Sequence, residues 1–223
     1  DDNILLASVP GTSLLSGQSD TFELNWTPDA EGAHTLYGKV SLNGDMNPDN
    51  DMTDGLEVQV LPAGTSIHQI GFDSYHNTYI GLHTPYGTLS KAYRQQYLVL
   101  GDELSAEGIN PGSFIGLGFE VALLNNCLPM PNYRIRLMHT QLDALDEDFE
   151  AGNYQTVCEY DEFMPEEGWN YHEFQMPFAW DGESNIIVDI TTDLYPDDDL
   201  QCASVTYTLS TFNSSLRFDS MNI

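Results

Sequence analysis

Four side chains able to present oxygen stand on alternate residues at Asp45, Asn47, Asp49 and Asp51, directly after Gly44. Calcium takes about six to eight oxygen ligands, and alternate spacing lets one loop wrap an ion, so calcium is the one cofactor this pattern admits. The loop lacks the glycine at its sixth position and the distal bidentate Glu of an EF-hand, so an Asx-turn loop capping its own backbone stands beside that reading. The acidic runs Asp143 to Glu150 and Asp197-Asp198-Asp199 read as solvated loops. Aromatic rings supply a second kind of chemistry. Trp169, Phe178 and Trp180 lie among carboxylates, and flat rings beside carboxylates stack on sugars; burial in a core is the competing use. Tyr75, Tyr79, Tyr86 and Tyr93 run through a segment broken by Gly81, Pro85 and Gly87. Loop tyrosines make contacts with proteins or sugars, or else pack over the edge of a sheet.

Patterns for catalysis are missing. There is no G-x-S-x-G elbow. His172-Glu173 is not followed by the second His of H-E-x-x-H. Gly116-Leu117-Gly118 lacks the third glycine of a dinucleotide loop and sits in a strand-like run. With 35 acidic residues, close carboxylate pairs arise by chance, so they do not by themselves indicate glycoside hydrolysis. The chain reads as a non-enzyme. Its three cysteines have no paired spacing for zinc. Cys127 and Cys202, each after a strand-like run, are the expected disulfide, with Cys158 left over; three buried thiols are the alternative.

Charge narrows the partners. Thirty-five acids against six Lys and Arg leave a formal charge of −29, which repels nucleic acid and anionic membranes and favours cations, saline water or a neutral polymer such as glycan. Yet 41% of residues are apolar, and 12 Tyr, 10 Phe and 3 Trp are enough to fill a core, so this is no disordered acidic tail. No run reaches the roughly 18 apolar residues of a membrane span. The opening Asp1-Asp2-Asn3 is not a signal peptide, so a signal removed earlier or a longer parent chain is expected.

The elements that must position these residues are strands. Period-two alternation marks Ile4 to Ser8, Thr21 to Trp26, His34 to Leu42 and Leu56 to Val60, with turn residues between them. An immunoglobulin-like sandwich is built from about seven strands, so four make a partial one over residues 1–62. Leu61 to Thr65 reads as a short linker. Over 66–223, strands are predicted at Ser66 to Gly71, Ala92 to Leu100, Phe114 to Leu124, Tyr133 to Thr140 and Tyr154 to Tyr160. Four more are predicted at Trp169 to Gln175, Asn185 to Thr192, Val205 to Ser210 and Leu216 to Phe218. That series predicts a larger, two-sheet, jelly-roll-like β-sandwich. Helix is confined to a turn or two at Asp102 to Glu107, stopped by Gly108, and at Asp143 to Phe149.

Gly17-Gln18-Ser19, Trp26-Thr27-Pro28, Gly32, Asp45, Asn47-Pro48 and Asn50 occur in the order found in a bacterial CARDB-type domain, a cell-adhesion-related immunoglobulin-like module. The first segment resembles the trailing half of such a domain, without its first strands. From about residue 67 the chain resembles a second module recurrent in large secreted surface proteins of Bacteroidetes-like and Cloacimonas-like bacteria. Its marks are Gly168-Trp169, Pro177-Phe178 and Trp180-Asp181-Gly182 before an apolar strand. Together these resemblances imply an extracellular or cell-surface location and no catalytic residues. The expected function is a non-catalytic adhesion or surface-architecture module of a larger secreted protein, with neighbouring domains or copies of itself as partners. An immunoglobulin-like unit short of strands exposes a sheet edge that a neighbour's strand would complete, giving a filament subunit. The alternative is a carbohydrate-binding accessory domain of a secreted hydrolase.

Overall fold

The computed structural model describes residues 3–72, 75–76, 84–87, 93–193 and 202–219. Strand accounts for 44% and helix for 4%, in three antiparallel sheets, so the chain is all-β, as its alternation predicts. It divides into two compact units, Asp1–Ile67 and His68–Ile223.

In the first unit β1 (Gly32–Leu36) pairs with β2 (Leu56–Val60), running from Gly32 opposite Val60 to Leu36 opposite Leu56. The pairing continues irregularly toward the acidic loop: Lys39 bridges Met52, and Val40 N–H donates to Asp51 O at 2.8 Å. A single 3₁₀ turn, Pro48–Asn50, occupies the loop. The segments at 4–8 and 21–26, which alternate like strands, lie outside any ladder among the described residues. Alternation dictates which face a side chain takes but supplies no neighbour for the backbone, and a two-stranded ribbon alone is marginal in water.

The second unit contains β3 (Tyr75–His76), β4 (Tyr93–Val99), β5 (Gly112–Leu123), β6 (Met130–Thr140), β7 (Gln155–Phe163), β8 (Gly168–Trp180), β9 (Asn185–Thr192), β10 (Ser204–Tyr207) and β11 (Ser215–Asp219). One sheet has the order β3-β10-β5-β8, the other β11-β4-β9-β6-β7. Antiparallel pairs nest: β3 with β10, β4 with β9, β5 with β8, β6 with β7. A single long hairpin folded over itself gives this wiring, which is that of a jelly roll, with β11 added outside β4. The two sheets share one core. Val121, Phe174, Phe178, Trp180 and Val205 meet Tyr133, Ile135, Leu137, Ile186, Val188 and Ile190 from the opposite sheet.

β9 is buried on both faces. Its Ile187 turns outward to a second cluster with Leu98 and Leu145, where the segment around 142–154 covers the five-stranded sheet. That cover is pinned by Leu145 N–H to Asn213 O and by Asn213 Nδ2 to Leu145 O. It is pinned again by polar groups. Asp189, on the same face and sealed from solvent, accepts from Arg94 Nε at 2.7 Å, Arg136 Nε at 3.0 Å and Gln96 Nε2 at 2.8 Å. Gln96 Oε1 accepts from Glu150 N–H at 2.9 Å, and Arg94 lies over the Phe149 ring. A buried carboxylate is tolerated only with such pairing.

Details differ from the sequence expectation. Ser66 to Gly71 joins no ladder among the described residues, and the edge strand is instead Tyr75–His76. Asp143 to Phe149 forms no helix, because it spends its apolar residue Leu145 on covering the sheet. Helix α1 (Gly101–Ala106) lies where one was expected. The Glu103 carboxylate accepts Leu100 N–H at 2.9 Å, and Gly108 at φ +77° ends it. Among the described residues no helix is long and apolar enough to cross a membrane.

Candidate functional site

β8 carries the site because its two faces differ in chemistry. Asn170, His172, Phe174, Phe178 and Trp180 point inward and are buried. Trp169, Tyr171, Glu173 and Gln175 take the outer face of the four-stranded sheet. Trp169 is 59% exposed and Tyr171 42%. The neighbouring strand is built to receive them. Register places Glu120 opposite Trp169, Gly118 opposite Tyr171 and Gly116 opposite Glu173. A Cβ on Gly116 would fall 2.2 Å from Tyr171 Oη and 2.4 Å from its Cζ, so the Tyr171 ring lies across that glycine. A Cβ on Gly118 would meet Trp169 Cε3 at 3.5 Å and Asn170 O at 3.1 Å. Two glycines thus form a floor on which two aromatic rings lie down instead of standing up from the sheet.

Carboxylates flank the ring pair. Burial, and then the charge of Glu173, push the Tyr171 hydroxyl above its ordinary pKa, so it stays a neutral donor and acceptor. The face continues across the sheet: Val205 pairs with Val121, and Thr206, one residue on, faces exposed His76. Flat rings bordered by carboxylate and hydroxyl groups offer stacking and hydrogen-bond acceptance.

Behind the platform is a buried polar knot. His172 is closed off from solvent, with Nε2 2.8 Å from Tyr86 Oη and Nδ1 3.2 Å from Tyr160 Oη. Its ring sits among Phe163, Tyr133 and Phe119. Burial pushes its pKa down to about 4, so the imidazole is neutral and uses one nitrogen to donate and one to accept. Tyr97 Oη and Tyr133 Oη are buried there with no hydrogen-bond partner among the described residues.

The residues singled out from sequence scatter. Trp169 belongs to the platform. Trp180 does not: only 3% exposed, it stacks on Phe114 and donates from Nε1 to Ser184 O at 2.8 Å. That corrects its reading as a contact residue, because the end of β8 turns Phe178 and Trp180 into the sandwich. Phe178 is likewise buried, against His139. Tyr86 is fully buried among Tyr133, Phe163 and His172, which corrects the loop-contact reading. Tyr93 is also internal. Tyr75 is exposed on edge strand β3, its ring 6.0 Å from that of Tyr207. Tyr79 and Asp197-Asp198-Asp199 lie outside the described residues.

The acidic loop brings Asp45 and Asp51 together. Asp45 accepts Asn47 N–H at 3.1 Å, an Asx turn, and that bond and Asp51 lower its pKa, while the Asp45 carboxylate raises that of Asp51. Among the described residues no three His, Cys, Asp or Glu side chains converge as a metal centre. Asp49 falls in the 3₁₀ turn. Cys127 and Cys202 are buried thiols, as is Cys158, in place of the expected Cys127–Cys202 bridge. Both flank the same segment: Cys127 Sγ points to Tyr86 O at 3.8 Å, and Cys202 bridges Gly87.

Tyr171 and Glu120 escaped the sequence reading, which met Glu173, Gly116 and Gly118 only as incomplete H-E-x-x-H and dinucleotide-loop patterns. A signal was present, since counting by two from Trp169 reaches Tyr171 and then Glu173. Which strand lies alongside was not in that count. No family model matches the chain, and neither a curated protein nor a solved structure is similar to it.

Proposed function

We propose that this chain is a non-catalytic, extracellular binding module of a larger secreted protein, and that the outer face of its four-stranded sheet holds carbohydrate. The observation that carries the reading is the Trp169–Tyr171 pair, laid flat on Gly116 and Gly118 and left exposed. Leaving that much aromatic surface wet costs stability unless a ligand covers it. Pyranose rings, with one face of C–H groups and a rim of hydroxyls, match flat rings flanked by carboxylate acceptors. Electrophoresis through gels containing dissolved polysaccharides tests this. A retarding glycan is expected, with retardation lost in Trp169→Ala and Tyr171→Ala while melting temperature holds. Retardation unchanged in the double variant, or absent with every glycan, would overturn the proposal.

A second reading, assembly with copies of itself as in a surface-architecture module, is favoured by a separate observation in the first unit. Ile4, Leu5, Leu15, Val40, Leu42 and Leu56 are all largely exposed there, and each strand of the β1-β2 ribbon pairs along one edge only among the described residues. Strand exchange between copies would cover both, and it accords with the CARDB-type resemblance of this segment. Light scattering across a concentration series decides. Growth in mass that Val40→Glu abolishes supports assembly, and a monomer at every concentration rejects it.

A further inference from the structure

Resting on the carbohydrate reading, we infer that the ligand of this face is an uncharged sugar chain lying along β8, and that acidic glycans are refused. The grounds lie in how the cations are distributed. Arg94, Arg134, Arg136 and Arg217 all belong to β4, β6 and β11, strands of the five-stranded sheet. Strands β3, β5, β8 and β10 carry neither Lys nor Arg. Three of these cations are engaged with acids of their own sheet and its flank: Arg94 and Arg136 with Asp189, Arg134 with Glu159 and Asp193.

The platform is therefore bordered by Glu120 and Glu173 with no Lys or Arg on its own strands to offset them. Carboxylates accept hydrogen bonds from sugar hydroxyls, and such charge-assisted bonds are the stronger kind. The same two groups repel a uronate or sulfate placed over the rings, on a chain already at −29. Residues two apart on one strand stand about 7 Å apart, so Trp169 and Tyr171 offer two successive stacking positions along the strand direction.

Affinity electrophoresis of the full chain at pH 6 and about 150 mM NaCl, where long-range charge is largely screened, uses four probes: a neutral β-glucan, a polyuronate, dextran sulfate and partly deacetylated chitin. The β-glucan is expected to retard the wild type, with at least tenfold loss in Trp169→Ala, while polyuronate and dextran sulfate leave mobility unchanged. In Glu120→Gln/Glu173→Gln, β-glucan binding should fall severalfold and polyuronate retardation should appear. The amine-bearing polymer is expected to retard wild type and Trp169→Ala alike, through net charge alone. Trp169-dependent binding of polyuronate, dextran sulfate or the amine polymer at least as strong as that of β-glucan would overturn the inference while leaving the carbohydrate reading standing. Loss of Trp169-dependent retardation with all four probes would bring down the carbohydrate reading itself.

Discussion

Trp169 and Trp180 share one strand but have opposite fates. Faces alternate regularly from Trp169 to Gln175, then the register shifts, leaving Met176 exposed and turning Phe178 and Trp180 inward. His172, like Trp180, falls inside, and its burial has a consequence in pH. Its folded pKa of about 4 lies below the unfolded value near 6.5, so between these the unfolded chain binds a proton that the folded one refuses. Stability is fully present above about pH 6.5 and falls as pH drops toward 4, by on the order of 3 kcal/mol. Chemical denaturation of wild type and His172→Gln across that range checks this: the difference between the two curves should narrow steadily as pH falls, whereas parallel curves would show the imidazole titrating normally.

At the scale of elements, β5 decides whether β8 can present its rings. Gly116→Ala puts a methyl where the Tyr171 ring lies. Tyr171 is half exposed and can swing into water, so melting should change little, by less than about 1 kcal/mol. Carbohydrate retardation should nonetheless fall severalfold; an unaffected affinity would mean the flat ring is not the binding geometry. The opposite sheet offers a stability test. Asp189→Ala strands two partly buried guanidinium groups and releases the cover over β9, so a loss of about 3–5 kcal/mol is expected. Denaturant midpoints measure it, and a cost below about 1 kcal/mol would show the cover held by Leu145 and Ile187 alone. Strand positions in the second unit were largely legible, since β9 coincides with its predicted span and β4 to β8 overlap theirs. Edge strand β3 was not, because two residues cannot show a period. Nor could alternation at 4–8 and 21–26 reveal that no ladder forms there among the described residues.

For the whole molecule, charge outweighs any single contact. At −29, mutual repulsion opposes the compact state, and salt shortens its reach to about 8 Å at physiological strength. Melting temperature should therefore climb as NaCl rises to a few hundred millimolar; a flat profile would mean the carboxylates are too dispersed to matter. Calcium should do no more than NaCl of equal ionic strength. A calcium-specific rise, reversed by EDTA and lost in Asp45→Ala/Asp51→Ala, would instead give that loop an ion.

Local physics was sufficient for part of this. Alternation and turn residues dictated an all-β chain, and composition dictated an acidic exterior around an aromatic core, because both are summed over near neighbours. The nesting of β3 to β10, the choice of Trp169 over Trp180 and Tyr86 as an exposed ring, and the glycine floor beneath Tyr171 were settled only in three dimensions. Each depends on which distant strand comes to lie alongside, and that is decided by closing long loops around a shared core.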